Sequence, residues 1–118
     1  MKKYSIIRLD PTLRTNLMAF GFETGQGWYP LIYELLDKLQ AIEDRDKIGL
    51  EITQIKEKWG GLRVYINVGT DEIWDLIDEY ERKSFTICEQ CGKSGILRIN
   101  HGWFTTLCDK CQKKMSEE

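Results

Sequence analysis

A chain of 118 residues has the length of one ordinary domain. Its 42% apolar content supplies a modest core and excludes wholesale disorder. A near balance of 17 basic and 19 acidic side chains, net −2, excludes a polybasic tail or a strongly steering field. No apolar run nears the ~20 residues of a membrane span, and Met1-Lys2-Lys3-Tyr4-Ser5-Ile6-Ile7 is too short for a secretory signal. The expectation is a soluble, cytoplasmic chain with no membrane partner.

In chain order, Asp10-Pro11 predicts a helix over 11–20, with Asp as N-cap and Pro at the first helical position. Leu13, Leu17 and Phe20 share one face of it, and Gly21 ends it. The loop from Gly21 to Trp28 carries three glycines and feeds a second helix, 30–43, opened by Pro30, with Leu31, Leu35, Leu36, Leu39 and Ile42 as its apolar stripe and Ile32 at the edge. A glycine loop before a helix can hold an anion. No Walker lysine follows, however, and a loop turning over a buried Trp28 is the simpler expectation.

Two strand-like runs flank Gly60-Gly61 and predict a hairpin over 50–68 with a two-residue turn. Leu62, Val64, Ile66 and Val68 alternate with polar neighbours, whereas the first run changes face near Thr53-Gln54, where a bulge is expected. Thr70 caps a third helix over 71–84, with Asp71 and Glu72 at its positive end and Arg82 and Lys83 at its negative end. Ile73, Leu76, Ile77 and Tyr80 form its buried stripe, and its many carboxylates read as a solvated face.

The four cysteines carry the chemistry. Cys88 and Cys91 form one C-x2-C pair and Cys108 and Cys111 another, 16 residues apart, which is the spacing of a four-cysteine zinc site. Four thiolates close the coordination sphere, so one structural Zn²⁺ is expected and a catalytic one is not. Two disulfides are the alternative, disfavoured for a chain among reduced thiols. His101, the only histidine, lies in Asn100-His101-Gly102 between two short apolar runs, the pattern of an exposed hairpin tip. Residues 109–115 have no helix breaker. Knuckle, hairpin and a helix carrying the second pair is the order of a treble-clef finger, and a zinc ribbon is the alternative.

The expected architecture is therefore α+β: three helices packed on a β-hairpin form a body over 1–84, followed by a four-cysteine zinc finger over 85–118 packed against it as one unit. Charge divides the same way. Residues 1–81 hold 10 basic and 15 acidic groups, and residues 82–116 hold 7 and 2. A zinc–tetrathiolate cluster, itself formally −2, offsets part of that basic excess.

Gly21-Phe22-Glu23 with Gly27-Trp28-Tyr29-x-Leu31-Ile32 resembles a family of small phage, prophage and bacterial proteins whose activity is not established. So do Lys56-Glu57-Lys58-Trp59-Gly60-Gly61-Leu62-Arg63-Val64-Tyr65 and Cys88-x2-Cys91-Gly92 with Gly102-Trp103-x3-Leu107-Cys108. The resemblance spans residues 20–111. It implies a phage accessory protein, including one that blocks a host defence, and implies no reaction.

The residues themselves lack a Ser/His/Asp set and any thiol outside the cysteine cluster. A non-enzymatic binding protein acting on a protein partner is the leading expectation, with Trp28, Trp59 and Trp103, each beside a glycine, as candidate anchors and Arg63, Tyr65 and Arg98 beside them. Nucleic-acid binding through Lys93, Arg98, Lys110, Lys113 and Lys114 is the second reading. Binding of a signalling nucleotide by the Gly21–Trp28 loop is the third, and an HNH-type nuclease is disfavoured because the cysteines saturate the metal.

Overall fold

The structure is a computed structural model that describes residues 4–7 and 22–116; the helix expected over 11–20 lies outside the described residues. Within them the order is strand β1 (Phe22–Glu23), a 3-10 turn (Gln26–Trp28), helix α1 (Tyr29–Asp46), strands β2 (Ile52–Lys58) and β3 (Gly61–Ile66), helix α2 (Asp71–Ser84), strands β4 (Ile96–Asn100) and β5 (Trp103–Leu107), and helix α3 (Asp109–Ser116). The class is α+β, as expected.

Helix α1 starts on Tyr29-Pro30 and buries Leu31, Ile32, Leu35, Leu36, Leu39 and Ile42. Each such side chain stabilises the fold by about 1.5–3 kcal/mol through removal from water. The helix continues past Glu43 to Asp46 because no breaker intervenes, and its added turn is solvated. Lys47 then turns left-handed, and the Glu43 carboxylate accepts the N–H groups of Ile48, Gly49 and Leu50, which ties the exit to the next strand.

β2 and β3 pair antiparallel with a register shift between Ile52 and Gln54, the expected bulge. The two-residue turn is Trp59-Gly60, both at positive φ (57° and 83°), rather than Gly60-Gly61. Gly61 instead opens β3, where a Cβ would run into the Phe85 ring. β1 joins the sheet parallel to β2, with Phe22 opposite Ile55, and a bridge from Ile7 to Ile52 extends the same edge.

α2 occupies the residues predicted for it. Thr70 Oγ1 accepts the Ile73 N–H at 3.4 Å, a side-chain N-cap. The helix lies along the free edge of β3 and supplies acceptors that a fourth strand would otherwise provide. Ser84 Oγ accepts the Leu62 N–H at 2.9 Å, and Glu81 Oε2 accepts the Val64 N–H at 3.0 Å. Closing the edge in this way leaves fewer unpaired backbone groups to recruit another strand. Ile73, Ile77 and Tyr80 are buried and join α1, β2 and β3 in one core, while Leu76 is only half-buried at its margin.

Trp28 sits wholly inside, its indole N–H donating to the Ile87 carbonyl at 2.8 Å. The loop before it is a clasp on the C-terminal segment. Gly27 N–H donates to the Glu89 carbonyl at 2.7 Å, and Gly25 N–H donates to the Glu89 carboxylate at 2.9 Å. On the other side Thr106 Oγ1 donates to the Gly60 carbonyl at 2.7 Å. No helix among the described residues is long and apolar enough to cross a membrane.

Candidate metal centre

The first cysteine pair sits in a tight backbone turn. Cys88 N–H donates to the Lys93 carbonyl and Gly92 N–H to the Cys88 carbonyl, with Gly92 at φ 85°, a conformation that favours glycine. The second pair lies where β5 passes into α3. Cys108 precedes the helix, Cys111 is one turn along, and the Cys111 N–H donates to Cys108 Sγ at 3.4 Å. The β4–β5 hairpin, turned at His101-Gly102, spans the gap and returns the chain to the first pair.

All four sulfur atoms lie within 4.8 Å of one another, with Cys91 and Cys108 at 3.6 Å. A tetrahedron with sulfurs at ~2.3 Å from zinc has edges of about 3.8 Å, so the group fits one such ion with small adjustments. All four thiols are free, which sets aside the disulfide alternative. Among the described residues no histidine or carboxylate joins the group.

Electrostatics point the same way. Burial would raise the Cys88 thiol, but backbone N–H groups around it, with the Cys91 side chain, bring it down to about 6. Hydrogen bonding to Cys108 pushes Cys111 up to about 12, with burial adding to the rise. Negative charge placed on one sulfur is thus resisted by the next. A divalent cation at the centre removes that conflict and lets all four ionise.

Packing gives a second reason. Between residues 88 and 115 the buried side chains are Cys88, Thr106 and Leu107, while Ile96, Leu97, Ile99, Trp103 and Met115 are exposed. A segment of that size with so little core needs a metal or other staple to hold its shape.

The other expected site residues fall into separate places. Trp28 is 0% exposed, so it is not an interface anchor: the glycine loop lets the finger backbone close over the ring. Trp59 and Trp103 are 62% and 78% exposed, and Tyr65 is exposed on β3. Arg63 is half-buried against Glu81 at 3.5 Å. Arg98 is held inside the finger, donating to Asp109 at 2.7 Å and to the Leu107 carbonyl at 3.1 Å, so it braces the junction before Cys108 rather than standing free. Lys93, Lys110, Lys113 and Lys114 are exposed, and His101 is exposed at the hairpin tip.

In the loop expected to seat a nucleotide, Glu89 already accepts the Gly25 and Gly27 N–H groups, through its carboxylate and its carbonyl. The carboxylates of α2 form surface ion pairs, Arg82 with Asp78 and Lys83 with Glu79, in keeping with a solvated face. Four residues at the finger–body seam gave no sequence signal. Glu57, Glu89, Phe104 and Met115 stand out by no spacing of their own, and only the tertiary fold gathers them around one cleft. No protein-family model matches the chain, and no curated protein or solved structure matches it at a significant level.

Proposed function

We propose that the chain is a non-enzymatic zinc protein in which one structural Zn²⁺, held by Cys88, Cys91, Cys108 and Cys111, fixes a treble-clef-like finger that presents a binding surface to a protein partner. The observation that carries the metal is the convergence of four free sulfurs within 4.8 Å. A closed thiolate shell leaves no open position for an activated water, and this supports a structural role. The protein partner is supported by exposed aromatic rings at the seam, Trp59 and Trp103, which cost free energy in water and serve well as anchors. The resemblance in the Gly27–Ile32 and Lys56–Tyr65 motifs makes a phage accessory protein, acting on a host protein in the cytoplasm, the setting we favour.

Nucleic-acid binding is the second reading, favoured by the exposure of Lys93, Lys110, Lys113 and Lys114 on the finger. The experiment that separates them is recovery of the tagged chain from its native cells, with zinc, protein and nucleic acid all quantified. The first reading expects one zinc per chain and a stoichiometric partner protein that Trp103→Ala loses. Recovery of nucleic acid alone, lost on Lys113→Glu with Lys114→Glu, would replace it with the second.

A further inference from the structure

Where the tip of the β2–β3 hairpin meets the β4–β5 hairpin, two recesses share Glu57, Trp103 and Phe104. The larger encloses about 550 Å³ and is also lined by Glu89 and Met115; the smaller is bounded by Trp59 and Lys58. Trp59 and Phe104 meet edge to face, with centroids 5.8 Å apart and planes at 78°, which holds one indole in a defined attitude beside the cleft. Most of the Trp59 and Trp103 surfaces still face water.

Two carboxylates of like sign share the larger recess with Asn100, His101 and Thr105. Glu57 Oε2 accepts the Gly60 N–H at 2.8 Å, and Glu89 Oε2 accepts the Gly25 N–H at 2.9 Å. Each therefore keeps a second oxygen, and among the described residues neither forms an ion pair. The cleft thus combines electron-rich ring faces with two carboxylates, and its one lysine, Lys58, borders only the smaller recess. A phosphate would be repelled there, and a purely aliphatic segment would cover carboxylates without pairing them, at a cost. A flat cation satisfies both features: it stacks on an aromatic face and donates two parallel hydrogen bonds to a carboxylate.

We propose that this cleft seats an arginine side chain carried on an apolar-flanked segment of a partner protein, with the guanidinium against an exposed indole and paired with Glu57 or Glu89. The inference rests on the protein-binding reading above and names the chemistry of the partner.

The test is an NMR titration of the zinc-loaded full chain with the capped peptide Gly-Leu-Arg-Leu-Gly and with its citrulline and glutamate analogues. The indole N–H signals of the four tryptophans are the readout. The arginine peptide is expected to move the Trp59 and Trp103 signals, to leave Trp28 and Trp74 in place, and to bind with Kd no weaker than about 1 mM. The citrulline peptide, similar in shape but uncharged, should bind at least about tenfold more weakly, as should the arginine peptide to the Glu57→Gln, Glu89→Gln double variant. Both glutamines keep an acceptor for the Gly60 and Gly25 N–H groups, and an unmoved Trp28 signal certifies the fold.

Equal binding of the arginine and citrulline peptides overturns the arginine assignment and leaves the protein-docking reading standing. Silence of Trp59 and Trp103 towards every peptide overturns the assignment as well. Signals that respond instead to protein concentration, or to a DNA oligonucleotide, overturn it in favour of a second copy or of nucleic acid, and the protein-partner reading falls with the latter.

Discussion

Gly27→Ala puts a methyl group where backbone already lies. A Cβ at Gly27 would fall 2.6 Å from the Glu89 carbonyl carbon and oxygen, and closer still to the Cys88 carbonyl oxygen. All three are main-chain atoms, so no side chain can swing aside. The knuckle must retreat by about 1 Å to restore an ordinary contact. That retreat breaks the Gly27–Glu89 hydrogen bond of 2.7 Å, worth about 1 kcal/mol. Overpacking adds about 1–3 kcal/mol, for a total of about 2–4 kcal/mol. Because Cys88 moves with the knuckle, the same variant should surrender its metal faster to a competing chelator. Gly102→Ala is the matched control: it has open space around it but a φ of 86°, so it carries only left-handed strain of about 1–2 kcal/mol and should leave metal release unchanged. Urea unfolding followed by tryptophan fluorescence, with a chromogenic chelator assay in parallel, measures both. A Gly27→Ala protein within about 0.5 kcal/mol of the parent, releasing metal at the parent rate, would refute the clasp between glycine loop and finger.

Ser84→Ala strands the buried Leu62 N–H. It should cost about 1–3 kcal/mol and lower Tm by about 5 °C per kcal/mol, and an unchanged melting curve would show that edge to be satisfied otherwise. Glu81 is displaced mainly by burial, which pushes its carboxyl up against the opposing pull of the Val64 N–H and Arg63. The folded state therefore holds that proton more tightly than the unfolded chain, and the ionised group costs stability as pH rises through its raised range. Glu81→Gln, which preserves the acceptor, should gain on the parent as pH rises above the ordinary carboxylate range of ~4, and a relative loss there would contradict it. Chelation of the metal should erase hydrogen-exchange protection in β4 and β5 while β2 and β3 keep theirs, since the fully buried residues of the main core all precede the finger and, of the finger's hydrophobics, Ile87 alone packs against them among the described residues. Simultaneous loss throughout would mean one cooperative unit.

Features written in neighbouring residues were legible. The Cys-x2-Cys pairs, the 71–84 helix with its threonine cap, and the bulge near Thr53-Gln54 all depend on local spacing, and each lies where the spacing puts it. The hairpin turn slipped by one residue because Trp59 adopts a positive φ that glycine was expected to supply. Gly61 is needed for another reason, the Phe85 ring packed over it. Three tryptophans carry the same local signature, a glycine neighbour, yet one is wholly buried and two are largely exposed. What decides between them is whether a distant backbone, here that of Ile87 to Glu89, closes over the ring. The two-residue strand β1 was unreadable for a similar reason: too short for periodicity, it exists through its parallel partner. Arg98 looked available as a surface cation because its acceptors, Asp109 and the Leu107 carbonyl, lie on the other side of the hairpin.

X-ray absorption at the zinc edge of the purified chain tests the central claim most directly. One zinc per chain with four sulfur neighbours at ~2.3 Å and no nitrogen or oxygen shell is expected. A metal-free, folded protein, or a zinc bound through His101 or water, would contradict it.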